Sequence, residues 1–135
     1  MTDDVQRLAQ TIKRAQWRDH RALEAALASV GTTLVQWDAL RAIAARPGAS
    51  GHELAEATFM SDQAFASLAG RLLRQGLVER VPGHGRRLEH HLTESGRQTL
   101  ERGSSVADTT LERLFAGLGA DERRRLQRLL DRLLA

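Results

Sequence analysis

Residues 50–88 carry two helix starts, a helix stop and a tight turn in close succession, and this order restricts the possible folds most. Ser50 stands three residues before Glu53, the S-x-x-E spacing of a capping box. Ser61 is placed to cap a second helix whose apolar pattern ends at Gly76. A Pro-Gly-His-Gly turn at 82–85 then separates two strand-like runs. The pattern predicts two helices joined by a short turn, followed by a β-hairpin with arginines at its tip.

Helical periodicity flanks this stretch on both sides, and it predicts a mainly α fold with a small β component. The predicted elements are a first helix over 5–30 ended by Gly31, a second capped by Thr32 or Thr33 and stopped by Arg46-Pro47-Gly48, a short helix over 53–57, a helix from Ser61 to Gly76, strands over 77–81 and 88–92, a helix from Thr93 through Leu118, and a strongly amphipathic last helix after a break at Gly117 to Gly119.

Composition limits the chain to one domain and excludes several classes of function. With 135 residues, 41% of them hydrophobic, the chain is long enough for one core. It contains no cysteine, which excludes disulfides, thiolate metal sites and thiol redox sensing. Neither a membrane-spanning run nor a signal peptide is recognisable in the sequence. We therefore expect one cytoplasmic domain, residues 1–135, without cofactors.

Positive charge is concentrated in one block of the sequence. The formal net charge is +3, and Lys13 is the only lysine among 20 Lys and Arg residues. Between Arg71 and His91, five arginines face only Glu79 and Glu89, so this block alone carries the net excess. Clustered arginine favours phosphate and guanine edges, which indicates nucleic acid, although a solvated basic surface is the plain alternative.

The predicted pair of helices followed by a basic hairpin suits the reading of a DNA duplex. A helix fits the major groove, about 12 Å wide, and its first residues approach the base edges. Gln63 is predicted to contact adenine and Asp62 to accept from cytosine. Arg86 is predicted to enter a minor groove and Arg87 to contact a phosphate. The full set of predicted DNA-binding residues is Ser50, Ser61, Asp62, Gln63, Ala64, Ser67, Arg71, Arg74, His84, Arg86 and Arg87.

Several short motifs follow one another in a fixed order: Leu54-Ala55-Glu56, Ser61, Leu68, Arg71-Leu72, Gly76-Leu77-Val78-Glu79-Arg80 and Leu92-Thr93-Glu94-Ser95-Gly96. Together they resemble the winged helix-turn-helix core of MarR-family regulators, and the resemblance covers essentially the whole chain. It implies an obligate homodimer on a pseudo-palindromic operator. It places the dimerisation helices at 1–30 and 97–135, the DNA-binding lobe at 32–96, the recognition helix at Ser61 to Gln75 and the wing between Val81 and Leu88.

Three positions depart from the family pattern. His84 stands where the wing of the family often carries an acidic residue two positions before its arginine, here Arg86. Ser67 stands where an arginine is common, and Gly70 where an acidic residue is common. These departures imply weaker binding or an unusual operator. Gly70 also costs about 1 kcal/mol of helix stability relative to alanine.

Apolar residues of the last helix and two tryptophans suggest an interface and a ligand site. The rest of a monomer of this size has little surface left to bury the leucines of this helix, so a symmetric partner is expected. These leucines are Leu126, Leu129, Leu130, Leu133 and Leu134. Trp17, His20 and Arg21, together with Trp37, are predicted to line a cleft. The resemblance implies that a small anionic aromatic ligand binds there and releases DNA, whereas simple core packing of both tryptophans is the alternative.

Other classes of function find little support in the residues. His90 and His91 are adjacent on a predicted strand and point to opposite faces, so they do not share a metal ion, and no metal site is expected. No nucleophile stands at sensible spacing from a base, and no enzymatic activity is expected. The predicted function is a sequence-specific transcriptional regulator, a repressor released by a small ligand. The alternative is a winged-helix module that binds another protein.

Overall fold

The computed structural model describes residues 2–135, which fold into six helices and one two-stranded antiparallel sheet. The predicted mainly helical fold with a small hairpin is confirmed. In chain order the elements are α1 (Thr2–Ala28), α2 (Leu34–Ala45), α3 (Gly51–Ala57), α4 (Asp62–Arg74), β1 (Val78–Pro82), β2 (Leu88–Leu92), α5 (Glu94–Leu114) and α6 (Ala120–Leu134).

Side-chain caps fix the starts of four helices. Thr33, Ser50, Ser61 and Thr93 each have extended backbone, and each side-chain oxygen accepts a hydrogen bond from the N–H three residues further on. At Ser50 the box is complete, because its own N–H donates to Glu53 Oε1 at 3.1 Å. These bonds satisfy orphan donors at the helix starts, and a lost cap typically costs about 1 kcal/mol. Ser50, Ser61 and Thr93 are confirmed as predicted capping residues, and Thr33 is the one of the two predicted threonines that caps α2.

One apolar core holds α2, α3, α4 and the hairpin together. The inward faces of the three helices meet the start of β1, and their largest side chains are almost completely buried. Burial of each such side chain stabilises the fold by about 1.5–3 kcal/mol. The central residues of this core are Leu40, Ile43, Leu54, Phe65, Leu68, Leu72 and Val78.

Small residues let α5 pack closely against the rest of the chain. Its buried face consists of Gly96, Thr99, Gly103, Ala107 and Thr110, at helical spacing. A Cβ added at Gly103 would lie 2.7 Å from Cδ1 of Trp37. At Gly96 the neighbour is backbone, since an added Cβ would lie far closer to the Leu77 carbonyl oxygen than van der Waals contact allows.

Two helices leave apolar surface uncovered by the described chain. In α6 no residue is buried, and the exposed apolar residues of this helix align on one face. The N-terminal half of α1 likewise exposes its apolar side chains to solvent. The large uncovered residues on these two helices are Val5, Leu8, Ile12, Leu126, Leu129, Leu133 and Leu134.

Several predicted boundaries need correction. Pro82 belongs to β1, paired with Leu88, and not to the turn, because the last position of an edge strand needs no N–H donor. Helix α3 begins at Gly51, two residues before the prediction. Helix α5 ends at Leu114 instead of continuing through Leu118, so the helix stops before the first glycine of the predicted break.

We predict that Gly96→Ala destabilises the protein by about 1–3 kcal/mol, because the backbone at Leu77 must move to admit the methyl group. Gly70→Ala is the matched control, since its Cβ would meet only Arg74 Nη1 at 3.5 Å, an ordinary contact. The control is expected to gain about 1 kcal/mol through helix propensity. Chemical denaturation of both variants measures the two effects, and equal midpoints would contradict the role assigned to Gly96.

Candidate nucleic-acid interface

The outer face of α4 consists of exposed polar and small side chains. Of the residues predicted to contact DNA, Ser61, Asp62, Gln63, Ala64, Ser67, Arg71 and Arg74 are all exposed on or just before this helix. The opposite face is buried in the core through Phe65, Leu68, Ala69 and Leu72. Helix α4 is therefore held on one side and presents the predicted contact residues on the other.

The wing is a short loop between the two strands. Five residue pairs join β1 to β2, from Val78↔Leu92 to Pro82↔Leu88. The loop is closed by a hydrogen bond from the Gly83 N–H to the Arg87 carbonyl at 2.8 Å, and Gly85 adopts the left-handed conformation with φ of +65°. His84 and Arg86 are exposed at its tip.

The two neighbouring arginines of the wing have different surroundings. Arg86 forms no salt bridge with any described residue. The Arg87 guanidinium, in contrast, lies 2.6 Å from Glu53 Oε1 and donates to the Gly48 carbonyl at 3.0 Å. Arg87, predicted to contact a phosphate, is thus tied to the start of α3, while Arg86 projects into solvent.

Glu53 is the centre of this connection. Besides Arg87, it binds Arg46 Nη2 at 2.7 Å and closes the capping box at Ser50. The backbone N–H and hydroxyl of Ser50, assisted by the hydrogen bond from Arg87, lower the pKa of Glu53 to about 2. One carboxylate therefore joins the end of α2, the start of α3 and the wing.

Backbone bonds fix β2 to the loop before α3 as well. The Gly48 N–H donates to the His90 carbonyl at 3.0 Å, and the His90 N–H donates to the Ala49 carbonyl at 3.1 Å. The His90 ring is buried beside Phe65, with Nδ1 3.0 Å from the same Ala49 oxygen. Burial lowers the pKa of His90, so its neutral form is favoured. His91, on the other face, is only half-buried, as the alternation predicts.

We predict that Glu53→Gln lowers the stability of the protein at neutral pH and that this difference disappears in acid. The folded-state pKa of about 2 lies below the 4.5 of an unperturbed glutamate, so the carboxylate stabilises the fold above pH 4.5 and loses this effect as the pH falls towards 2. Thermal unfolding of the wild type and the variant across this range measures the difference.

Glu94→Gln is the matched control, because Glu94 also begins a helix and pairs with a single exposed arginine, Arg97, at 3.0 Å. Such exposed pairs contribute little to stability. A gap between wild type and Glu53→Gln that stays constant from neutral pH into acid would contradict the assignment.

One groove brings the start of α4 and the wing together. It has a volume of about 360 Å³, and its walls include Asp62 and Ala66 of α4, Arg86 of the wing and Arg80 of β1. His52 of α3 lies on the same wall and contacts Asp62, with Nδ1 2.9 Å from Oδ1. The sequence prediction missed His52 and gave Arg80 no role of its own, although Arg80 falls in the basic block.

A larger apolar cavity lies between α1, α2, α5 and α6, with a volume of about 580 Å³. Of the four residues predicted for a ligand cleft, His20 and Trp37 line it, while Trp17 and Arg21 lie outside its described lining. Trp37 is also core, since it is buried and donates through Nε1 to Ser104 Oγ at 3.2 Å. Trp17 is 57% exposed and stacks on the His20 ring.

Asp38 and Arg41 are charged residues of the cavity wall that escaped prediction. Arg41 lies over the Trp37 ring, 4.6 Å from its centroid, and 3.6 Å from the Asp38 carboxylate. Partial burial raises the pKa of Asp38, and this effect exceeds the lowering of the pKa by the charges of Arg41 and His20. The spacing Trp37-Asp38-x-x-Arg41 places these residues on one stretch of helix, but only the packing of α5 shows that they face a cavity.

These features together define a winged helix-turn-helix protein. The short α3, the turn, the exposed α4 and the anchored hairpin are the elements of that class. Within residues 2–135, no helix is both long and apolar enough to span a bilayer. In the same residues, no group of three or more metal-ligating side chains is close enough to hold a metal ion.

Comparisons with known proteins agree with this class. The model of the MarR family matches residues 30–87. The HTH-type transcriptional repressor Rv2887 of Mycobacterium tuberculosis is 33% identical over 113 residues, which are 82% of this chain and 81% of the relative. The chain therefore belongs to the MarR family of regulators, as the sequence motifs predict.

Solved structures of the same relative are similar over nearly the whole chain. The Rv2887 complex with p-aminosalicylic acid has a TM-score of 0.78 and 30% identity, covering 95% of this chain and 98% of that one. The Rv2887 complex with DNA has a TM-score of 0.77 and 27% identity, again covering 95% and 98%. The relative is thus known with both a small aromatic acid and DNA.

Proposed function

We propose that this chain is a transcriptional repressor that binds double-stranded operator DNA as a homodimer through α4 and the wing. The observation that carries the proposal is the groove in which the exposed start of α4 meets Arg86 and Arg80. A protruding helix fits the major groove, and an arginine-tipped hairpin reaches the adjacent minor groove. The related repressor Rv2887, solved with DNA, supports the same reading.

The exposed residues of α4 have different roles in this proposal. Gln63 offers a bidentate contact to adenine, and Asp62 an acceptor for the amino group of cytosine. Ser67 adds a short polar contact, whereas Arg71 and Arg74 lie in the last turn and suit phosphates. Ser50 and Ser61 contribute through the helix starts that they cap.

In the wing we assign Arg86 to the DNA and Arg87 to the protein. Arg86 has no carboxylate partner in the described chain, so its guanidinium is available to the negative potential of a narrow minor groove. Arg87 is bound to Glu53 and Gly48 and shapes the wing, which revises its predicted role as a phosphate contact. His84 stands beside the tip as a second polar contact.

We predict that Arg86→Ala weakens operator binding by about 1–3 kcal/mol without unfolding the protein, because only a DNA contact is lost. Fluorescence anisotropy with a duplex from the region upstream of its own gene, compared with a scrambled duplex, measures the affinity. Arg113→Ala, at the far end of α5, is the control and should bind as the wild type does. Unchanged binding by Arg86→Ala would remove this residue from the interface.

The same titration at two salt concentrations separates the proposal from its alternative. Release of counterions makes the affinity of a DNA-binding protein fall steeply with salt. Preference for the upstream duplex together with a steep salt dependence supports the repressor. Weak and equal binding to both duplexes, with little effect of salt, would instead favour a winged-helix module that recognises another protein.

We assign the homodimer interface to the uncovered faces of α1 and α6. Their apolar residues, exposed within one chain, form a self-complementary surface for a symmetric partner. Two recognition helices held in this way reach successive major grooves about 10 base pairs apart. A symmetric dimer with this spacing suits a pseudo-palindromic operator. For a repressor of chromosomal DNA we propose a cytoplasmic location, and we assign the protein no catalytic role.

We predict that Leu133→Asp converts the dimer into a monomer, because a charge would have to be buried in the proposed apolar interface. Leu133 is 66% exposed within one chain, so the fold of the monomer itself should tolerate the change. Arg128→Gln, on the opposite face of α6, is the control and should remain dimeric. Light scattering after size-exclusion chromatography measures the mass, and a dimeric Leu133→Asp would contradict this interface.

The cavity between α1, α2, α5 and α6 is the proposed site of a small aromatic effector. Trp37 and Phe115 supply apolar walls, while Arg41 and His20 supply donors for an acidic group. The relative Rv2887, solved with p-aminosalicylic acid, supports a ligand of this kind. Such a ligand releases DNA only if it prefers an arrangement whose recognition helices are wrongly spaced.

A further inference from the structure

The imidazole of His52 lies between two carboxylates at the exposed start of the recognition helix. Nδ1 is 2.9 Å from Asp62 Oδ1 and 3.2 Å from Oδ2. Nε2 is 3.1 Å from Glu56 Oε1. His52 and Glu56 belong to α3, whereas Asp62 is the first residue of α4, so these three side chains bridge the turn between the two helices.

This geometry favours the protonated form of His52. A neutral imidazole has one N–H, and an ionised carboxylate only accepts hydrogen bonds. Since both ring nitrogens face carboxylate oxygens, both must carry hydrogen for the two contacts to be favourable. The hydrogen bond to Asp62 and the charges of Asp62 and Glu56 accordingly raise the pKa of His52.

The bridge is independent of the hydrogen bonds that form the turn. Ser61 already caps α4 through the Ala64 N–H, so the Asp62 carboxylate is not needed as a cap. The turn itself is closed by the Met60 N–H, which donates to the Ala55 carbonyl at 2.9 Å. Among the described residues, His52 is the only hydrogen-bond or salt-bridge partner of the Asp62 carboxylate.

The other charged groups around His52 keep their charge over the same pH range. The groove that contains His52 and Asp62 is also lined by Arg80, Arg86 and Arg87, which stay protonated. The remaining titratable group in its wall is His90, which burial favours as neutral. Loss of the His52 proton therefore changes the charge of the bridge from −1 to −2 next to the proposed path of a polyanion.

We propose that protonated His52 is a positioning residue for DNA recognition: it holds Asp62 against α3 and compensates its charge. This role rests on the proposed binding of DNA by α4. Operator affinity is highest while His52 is protonated and falls as the pH rises through the titration of this residue. A freed Asp62 is repelled by the phosphates and no longer has a fixed orientation towards a cytosine amino group.

Anisotropy titrations of the upstream duplex at constant ionic strength, between about pH 6 and about pH 8.5, test this role. The wild type is expected to bind about three- to ten-fold more weakly at the upper end, since one pKa unit of coupling corresponds to ten-fold in affinity. The comparison is made in a His84→Gln background, because His84 is itself a proposed DNA contact. In that background, operator binding by His52→Gln is expected to be nearly independent of pH and to equal the high-pH affinity of the protein that retains His52. His91→Gln, whose ring also lies near a carboxylate, Glu89, at 3.4 Å, should keep the wild-type profile.

Nuclear magnetic resonance of the histidine rings provides a readout that does not depend on DNA. The pKa of His52 should lie above the 6.5 of an unperturbed histidine and return towards it in Asp62→Asn. Specific binding with a flat pH profile, or a His52→Gln variant with the wild-type profile, would contradict the role of His52 alone. Absence of specific binding by the wild type at every pH would contradict the proposed function and this role with it.

Discussion

The architecture depends on how closely α5 approaches the lobe formed by α2, α3, α4 and the hairpin. At Gly96 the helix lies directly on the Leu77 carbonyl, and at Gly103 it accepts the edge of the Trp37 ring. Neither contact leaves room for a side chain. Because α5 runs without interruption from the end of β2 to Leu114, these two points of contact join the recognition elements to α1, which packs against α5 and carries part of the uncovered apolar surface.

Electrostatics at the other end of the lobe serves a different purpose. Glu53 concentrates contacts from Ser50, Arg46 and Arg87, and so it fixes the wing relative to the start of α3. Arg86, which directly precedes Arg87 in the sequence, has no carboxylate partner among the described residues. Two adjacent arginines thus divide the tasks of holding the hairpin and presenting a charge, a division that depends on which of them points towards the carboxylate.

Local signals in the sequence predicted most of the fold. The caps at Ser50, Ser61 and Thr93 and the glycine turn after Pro82 each involve only about four consecutive residues, so the local pattern alone predicts them. The boundary at Pro82 was wrong because a proline at the open edge of a strand looks the same in sequence as one in a turn.

The tertiary contacts of the site were less accessible to prediction. Arg86 and Arg87 are equivalent in sequence, and only the fold brings Glu53 to one of them. Trp17 and Trp37 both lie within predicted helices, yet Trp17 is exposed and Trp37 is buried against α5. His52 received no role in the sequence analysis, because its carboxylate partner Asp62 lies on the next helix.

Helix α6 buries none of its residues within its own chain, and this has a consequence for gene control. On the proposed homodimer, the amount of active species grows with the square of the chain concentration while monomers prevail. Operator occupancy then changes more sharply than synthesis of the chain does. The proposed interface, to which the amphipathic face of α6 contributes, thereby sets a threshold concentration of the chain, below which the regulated gene is not repressed.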